Sequence, residues 1–229
     1  MTDLGKSIFV VGIDIGSEYS GYAISSVFDI KCDPPKFDVA FCHTAKLITS
    51  KCQTAILLNG NEEMVAFGYQ AESRFTELLE FGEHHDYYYF KNFRNDLHQR
   101  EAGNPMIKDV SGKPLEALKV ISQTIGYFKY HAIIGIKERL SPQHTLVDED
   151  LYFVLTVPTT WDDKEKDFMR KATIMAGIKE NKLRIAFEPE AASLYILRTD
   201  SSQSHVGKRI KKGEKYMVID VGGLHNKTS

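Results

Sequence analysis

The chain has 229 residues, of which 42% are hydrophobic and 26% are charged. This composition supports a buried core and excludes an intrinsically disordered chain. The formal net charge of −2 excludes a general electrostatic attraction to nucleic acid or to an anionic membrane surface. Because no apolar run is long enough to span a bilayer and no signal peptide is recognisable, we expect a cytoplasmic protein with neither nucleic-acid nor membrane partners.

The first part of the chain alternates short apolar runs with turn residues, a pattern that predicts strands joined as antiparallel hairpins. The predicted strands cover residues 7–13, 21–28, 37–43 and 54–58. A helix is expected after them, over residues 70–80.

The second part of the chain alternates helical and strand patterns. A long helix is expected over residues 114–139, and its apolar positions recur at three- and four-residue steps, at Leu118, Ile121, Ile125, Phe128, Ala132 and Ile136. The elements expected next are a strand over 151–157, a helix capped by Asp162 with Glu165, a strand over 183–187, a helix over 189–199 and a strand over 216–221. This order predicts right-handed crossovers and a largely parallel arrangement.

Two segments at opposite ends of the chain resemble each other. Residues 10–17 read VVGIDIGS and residues 216–223 read YMVIDVGG. Each is an apolar run of strand type that carries one carboxylate, Asp14 or Asp220, and a buried strand has no use for an unpaired charge. At the strand ends, these carboxylates could hold a hydrated Mg²⁺ ion, which proteins usually bind through one or two carboxylates together with substrate phosphates.

Glycines follow both aspartates, at Gly16 and at Gly222 and Gly223. Glycine lets the backbone turn tightly and bring its N–H groups against an anion. The two motifs together therefore predict one phosphate-and-metal site built from two similar halves. The alternative is that both are ordinary junctions between a strand and a turn, since Asp-x-Gly is common in turns.

Four motifs, taken in order, support a family resemblance. They are GIDIGS at 12–17, LTVPTTWDD at 155–163, FEPEAAS at 187–193 and VIDVGG at 218–223. In this order they resemble the nucleotide-binding domain of the seventy-kilodalton heat-shock protein superfamily. Residues 54–59 and 67–72 resemble more particularly its heat-shock protein twelve A/B branch. The resemblance implies an α/β fold of the ribonuclease-H-like, actin-like ATPase class, in which ATP binds between two lobes.

The resemblance also implies roles for individual residues. Asp14 matches the aspartate that holds Mg²⁺ through its waters, and Gly16, Ser17, Glu18 and Tyr19 match the loop around the β- and γ-phosphates. Glu18 departs from the family, which usually has a small hydroxyl residue there, and its carboxylate would repel a triphosphate unless it turns away.

Further matches complete the implied site. Lys91 matches the lysine that places the attacking water, and Glu188 matches the glutamate that links the water shell of the metal to the hinge. Asp220, with Gly222 and Gly223, matches the second phosphate loop. The implied ligands are ATP or ADP with Mg²⁺, and the implied catalytic residues are Asp14, Lys91, Glu188 and Asp220.

The match ends at Gly223, where the family continues with a third glycine and a threonine. We therefore expect a first lobe over residues 1–223 and a divergent tail over 224–229, with the second lobe missing and ATP turnover negligible in the truncated chain. Besides nucleotide, the expected partners are client proteins, co-chaperones or a complementary lobe. Two alternatives stay open: a non-catalytic interaction module derived from such a chaperone, and a sugar or metabolite kinase of the same fold.

Overall fold

A computed structural model describes residues 6–39, 42–43, 48–98, 105–141, 143–198, 213 and 215–219. The strands are β1 (Phe9–Ile15), β2 (Tyr19–Ser26), β3 (Asp38–Val39), β4 (Cys42–His43), β5 (Ile48–Thr49), β6 (Cys52–Gln53), β7 (Ala55–Leu58), β8 (Met64–Phe67), β9 (Tyr88–Lys91), β10 (Met106–Lys108), β11 (Pro114–Glu116), β12 (Leu151–Val157) and β13 (Leu183–Phe187). The α-helices are α1 (Val27–Ile30), α2 (Tyr69–Glu80), α3 (Ala117–Lys137), α4 (Asp163–Met175) and α5 (Glu188–Arg198). Short 3-10 helices cover His84–Asp86, Phe93–His98, Asp148–Asp150 and Glu180–Lys182.

The main sheet has the strand order β13-β12-β1-β2-β3, and β6 also pairs with β2. Strands β1, β12 and β13 are parallel, whereas β2 runs antiparallel to both β1 and β3. The crossover from β1 to β12 carries α3, and the crossover from β12 to β13 carries α4. This mixed sheet flanked by helices confirms the predicted fold class.

The main core lies between one face of this sheet and α3. Alternate residues of β1 are buried, among them Val11, Ile13 and Ile15, because successive side chains of a strand point to opposite faces. Of the helix positions predicted to face inward, Leu118 is half-buried and the other five are buried, and Ile125 and Phe128 have no exposed surface. The apolar period therefore identified the buried face of α3 correctly.

A smaller unit consists of the sheet β8-β7-β9 with α2 packed on it. Its own apolar cluster includes Leu57, Phe75 and Tyr89. Strand β7 enters this unit directly after β6 of the main sheet, and β9 leads out of it toward the 3-10 helix Phe93–His98. Both connections pass close to the turn after β1, because Thr54 and Arg94 form hydrogen bonds to Gly16 O and Ile15 O.

Three predicted elements differ from the structure. The long helix begins at Ala117 because the preceding residues form β11, which pairs with β10. The strand expected over 37–43 is observed only as the short β3 and β4. The strand expected over 216–221 is wrong in its described part: Met217 and Ile219 are 81% and 76% exposed, and no strand among the described residues pairs with them.

Among the described helices, none combines the length and the apolar character that a bilayer crossing requires.

Candidate functional site

The carboxyl ends of the three parallel strands β1, β12 and β13 lie along one edge of the main sheet, where α/β proteins commonly bind ligands. Asp14 lies near the end of β1 and is exposed, although the strand residues on either side of it are buried. The Thr156 hydroxyl of β12 donates a hydrogen bond of 2.8 Å to Asp14 Oδ1. A carboxylate that is anchored on one oxygen and open to solvent can still accept a ligand or a metal-bound water.

The turn after β1 needs glycine at its first position. A Cβ atom on Gly16 would overlap the backbone carbonyl oxygen of Tyr19, so a larger residue would force this turn to open. Ser17 and Glu18 form the rest of the turn and are half-buried, and Tyr19 opens β2 with 42% of its surface exposed. The structure therefore brings the predicted loop of residues 16–19 next to Asp14.

Glu188 lies directly after β13, at the start of α5, and reaches the same edge. The Arg94 guanidinium connects it to the end of β1: Nη1 of Arg94 donates to Glu188 Oε1 at 2.6 Å and to the Ile15 carbonyl oxygen at 2.7 Å. The two charged side chains are only 13% and 22% exposed. The guanidinium carbon also lies 5.9 Å from the ring centre of the buried Trp161, which follows β12.

Lys91 is placed differently from Arg94. Its ammonium group forms an ion pair of 2.7 Å with Glu72 of α2. Between Lys91 and Arg94 the chain turns through Asn92, which has a positive φ of 55°. The structure thus brings Arg94, and not Lys91, to Glu188, while the catalytic role expected of Lys91 stays a prediction. An asparagine such as Asn92 is a local sequence signal for a turn. It could not have revealed that Arg94 binds Glu188, which lies 94 residues away.

Thr54, which sequence reasoning did not select, also contacts the loop. Its hydroxyl donates to the Gly16 carbonyl oxygen at 2.8 Å, and its backbone N–H donates to the Glu18 carbonyl oxygen at 2.8 Å. Thr54 is completely buried at the junction between β6 and β7.

The second half of the predicted site, Asp220 with Gly222 and Gly223, lies outside the described residues. Within the described part of the chain, no group of three or more histidine, cysteine or acidic side chains is arranged to hold a metal ion. A hard cation at Asp14 would therefore take most of its ligands from water and from phosphate oxygens, as Mg²⁺ usually does.

Comparisons with known proteins give sequence relatives. No protein-family model matches the chain. Heat shock 70 kDa protein 12B of Homo sapiens is 34% identical over 202 residues, which are 81% of this chain and 27% of that protein. Heat shock 70 kDa protein 12A is 29% identical in both Homo sapiens and Mus musculus, over 82% of this chain and 28% of each protein. The chain thus spans 27–28% of the length of these relatives.

Among solved structures, the crystal structure of MreB5 of Spiroplasma citri bound to ADP is similar with a TM-score of 0.45 and 11% identity, over 83% of this chain and 41% of that chain. The relatives align with 81–82% of the chain at 29–34% identity. Three of the motifs that carry the resemblance, at residues 12–17, 155–163 and 187–193, lie at the carboxyl ends of β1, β12 and β13. Over 81–82% of its length, the chain is similar to members 12A and 12B of the seventy-kilodalton heat-shock proteins.

Proposed function

We propose that this chain is a lobe of a heat-shock-type nucleotide-binding domain and that the edge of its main sheet binds the phosphates of ATP or ADP with Mg²⁺. One observation carries the proposal: the ends of the parallel strands bring Asp14, the Gly16 turn and the Arg94–Glu188 pair together. Phosphoryl transfer depends mainly on positioning and on charge neutralisation, and these groups can supply both.

The charges at this edge favour a phosphate group that arrives with a divalent cation. Asp14, Glu188 and the Glu18 of the turn are carboxylates, whereas Arg94 is already paired with Glu188. An anionic polyphosphate alone would be repelled by these carboxylates, and a divalent cation held by Asp14 would offset that repulsion.

Each residue of the site would then have a defined task. Asp14 would hold the water shell of the ion, and the backbone of residues 16–19 would surround the β- and γ-phosphates. Glu188 and Arg94 would orient groups on the opposite side of the phosphates. The bound ion neutralises charge on the phosphate oxygens. Asp220, Gly222 and Gly223 are proposed to supply the second phosphate loop.

The same proposal extends to the longer relatives. Their names describe heat-shock proteins, and a chaperone role with client proteins, co-chaperones or a complementary lobe is proposed for the protein of which this sequence forms a lobe. Whether the lobe alone hydrolyses ATP is a separate matter, because nucleotide binding does not require turnover.

Isothermal calorimetry with ADP, in the presence of Mg²⁺ and in the presence of EDTA, tests the proposal. Asp14→Asn should weaken binding of Mg-ADP by about tenfold or more while leaving metal-free binding almost unchanged. The matched control is Asp38→Asn. Asp38 lies on β3 of the same sheet, pairs with Arg139, and is not at the carboxyl ends of the parallel strands. Equal affinity for Mg-ADP in the wild-type protein and in Asp14→Asn would exclude this site.

A further inference from the structure

Thr54 connects the phosphate-loop turn to the smaller unit through every polar group it has. Its N–H donates to Glu18 O at 2.8 Å, its hydroxyl donates to Gly16 O at 2.8 Å, and its carbonyl oxygen accepts from Asn92 N at 2.9 Å. Asn92 follows β9, so both chain connections of the smaller unit meet at this one residue.

The direction of the hydrogen bonds here can be assigned. A threonine hydroxyl has a single hydrogen, and that of Thr54 is used on the Gly16 carbonyl oxygen. The contact of 2.7 Å between the hydroxyls of Ser20 and Thr54 must therefore have Ser20 as its donor. Two hydrogen bonds thus run from the Ser20 hydroxyl to the Thr54 hydroxyl and on to Gly16 O, and both hydroxyls are buried. In such a buried position successive hydrogen bonds strengthen each other, and a hydroxyl left without a partner would destabilise the fold.

These bonds act on carbonyl oxygens that border the proposed phosphate site. Ile15 O is bound by Arg94, and Gly16 O and Glu18 O are bound by Thr54. A carbonyl oxygen that faced a phosphate would repel it, whereas one that accepts a hydrogen bond from within the protein is held away from the phosphate and its charge is partly compensated. The shape of the turn is thus set from outside the turn.

We propose that Thr54 is a positioning residue for the phosphate loop, and that its buried hydroxyl sets the loop geometry on which nucleotide affinity depends. This inference rests on the proposed function for its consequence in binding, but its effect on the loop itself does not require a nucleotide.

Other buried threonines show what a purely structural hydroxyl looks like. Thr124 has no exposed surface, and its hydroxyl bonds to Val120 O, four residues earlier in α3. Removing that hydroxyl affects only a helix of the core. Thr124→Val is therefore the matched control for Thr54→Val, since both substitutions replace a buried hydroxyl by a methyl group of nearly the same volume.

The experiment compares Thr54→Val, Thr54→Ser and Thr124→Val in this chain by Mg-ADP calorimetry, by urea unfolding, and by hydrogen exchange at the amides of residues 17–19 without nucleotide. Thr54→Val should lose about tenfold or more in affinity and exchange faster at these amides. Thr54→Ser, which keeps the hydroxyl, should restore both properties, and Thr124→Val should bind and exchange in the loop as the wild-type protein does.

The readouts separate the two proposals. If the wild-type protein binds no Mg-ADP, the proposed function fails, yet faster exchange in Thr54→Val still supports the positioning role. If a folded Thr54→Val binds Mg-ADP and exchanges at residues 17–19 as the wild-type protein does, the positioning role is overturned. Should Thr54→Val not fold, Ser20→Ala replaces it, because this variant removes only the donor to Thr54 and should show the same changes to a smaller degree; unchanged binding and exchange there would overturn the role equally.

Discussion

At the scale of single residues, Arg94 holds two ends of the site at once, because one guanidinium nitrogen contacts both Ile15 O and Glu188. Arg94→Gln removes the cation that pairs with the partly buried Glu188 carboxylate, so the proposed phosphate site would carry more negative charge. We expect Mg-ADP affinity to fall by about tenfold to a hundredfold, the usual range for hydrogen bonds to charged groups. Arg94→Lys should recover little, since an ammonium group lacks the fork geometry of a guanidinium.

The control for Arg94 is Lys91→Gln, because the ion pair of Lys91 with Glu72 is half-exposed and contributes little. Calorimetry on the two variants distinguishes the residues. A large loss in Lys91→Gln with an unchanged Arg94→Gln would contradict the role argued for Arg94.

Two glycines of the first motif provide a matched pair of substitutions. A Cβ atom on Gly16 would overlap the Tyr19 carbonyl oxygen, whereas a Cβ atom on Gly12, in the middle of β1, has no atom within 4 Å. We expect Gly16→Ala to abolish Mg-ADP binding and to lower the melting temperature, and Gly12→Ala to leave both nearly unchanged. Calorimetry and thermal unfolding measure this contrast, and similar behaviour of the two variants would show that the turn tolerates a side chain.

The residues that sequence patterns found and those that they missed differ in the range of their contacts. Asp14 and Gly16 were predicted because they stand within and directly after an apolar strand, and a strand end is a local pattern, whereas Glu188 was matched through the family resemblance of residues 187–193. Arg94 contacts residues 79 and 94 positions away, and Thr54 contacts one 38 positions away. Such pairings depend on how the smaller unit joins the main sheet, which no local pattern contains.

At the scale of elements, the same distinction holds. Strands β12 and β13 and the cap of α4 by Asp162 with Glu165 were predicted with their observed bounds or partners, because a short apolar run and a capping box are local signals. The strand β11 was predicted as helix because Pro114 suits either a first helical turn or an edge strand, and its pairing with β10 decides between them.

The layer between α2 and the small sheet contains a polar group with an unusual environment. Tyr89 of β9 stacks on Phe75 of α2, with ring centres 4.6 Å apart, and its buried hydroxyl has no hydrogen-bond partner among the described residues. Burial raises the pKa of Tyr89 to about 12 from its ordinary value of 10.0. Tyr89→Phe should therefore keep or raise the free energy of unfolding at pH 7, since it removes an unsatisfied polar group.

The raised pKa also predicts a pH dependence. Below pH 10 Tyr89 is protonated in both the folded and the unfolded chain, so its contribution is constant. Between its ordinary pKa of 10.0 and its folded pKa of about 12, the unfolded chain releases the proton first, and stability falls by up to about 1.4 kcal/mol per pH unit. Urea unfolding from pH 9 to 11.5 should show a shallower decline in Tyr89→Phe than in the control Tyr130→Phe, whose tyrosine is 62% exposed. If the free energy of unfolding declined equally with pH in both variants, the raised pKa of the buried Tyr89 hydroxyl would be contradicted.

At the scale of the whole molecule, the proposed ligand would join parts that are distant in sequence. The site takes Asp14 from β1, Arg94 from the segment after the smaller unit, and Glu188 from the end of β13. A ligand held by all of them is lost when either unit unfolds, so it stabilises the chain as one body. By mass action, Mg-ADP at a hundred times its Kd adds about 2.7 kcal/mol.

In a chain of this size, that free energy corresponds to a rise in melting temperature of roughly 5–10 °C. We expect a single transition that shifts as a whole with Mg-ADP, and a much smaller shift with ADP and EDTA, because Asp14, Glu18 and Glu188 outnumber Arg94 among the described side chains of the proposed site. Differential scanning calorimetry measures the shift at one fixed Mg-ADP concentration, with Asp14→Asn as the variant that should reduce it by about half or more and Asp38→Asn as the one that should keep it. A split transition, in which only one part moves with ligand, would mean that the smaller unit does not contribute to the site, and an equal shift in EDTA would mean that the phosphates bind there without a metal ion.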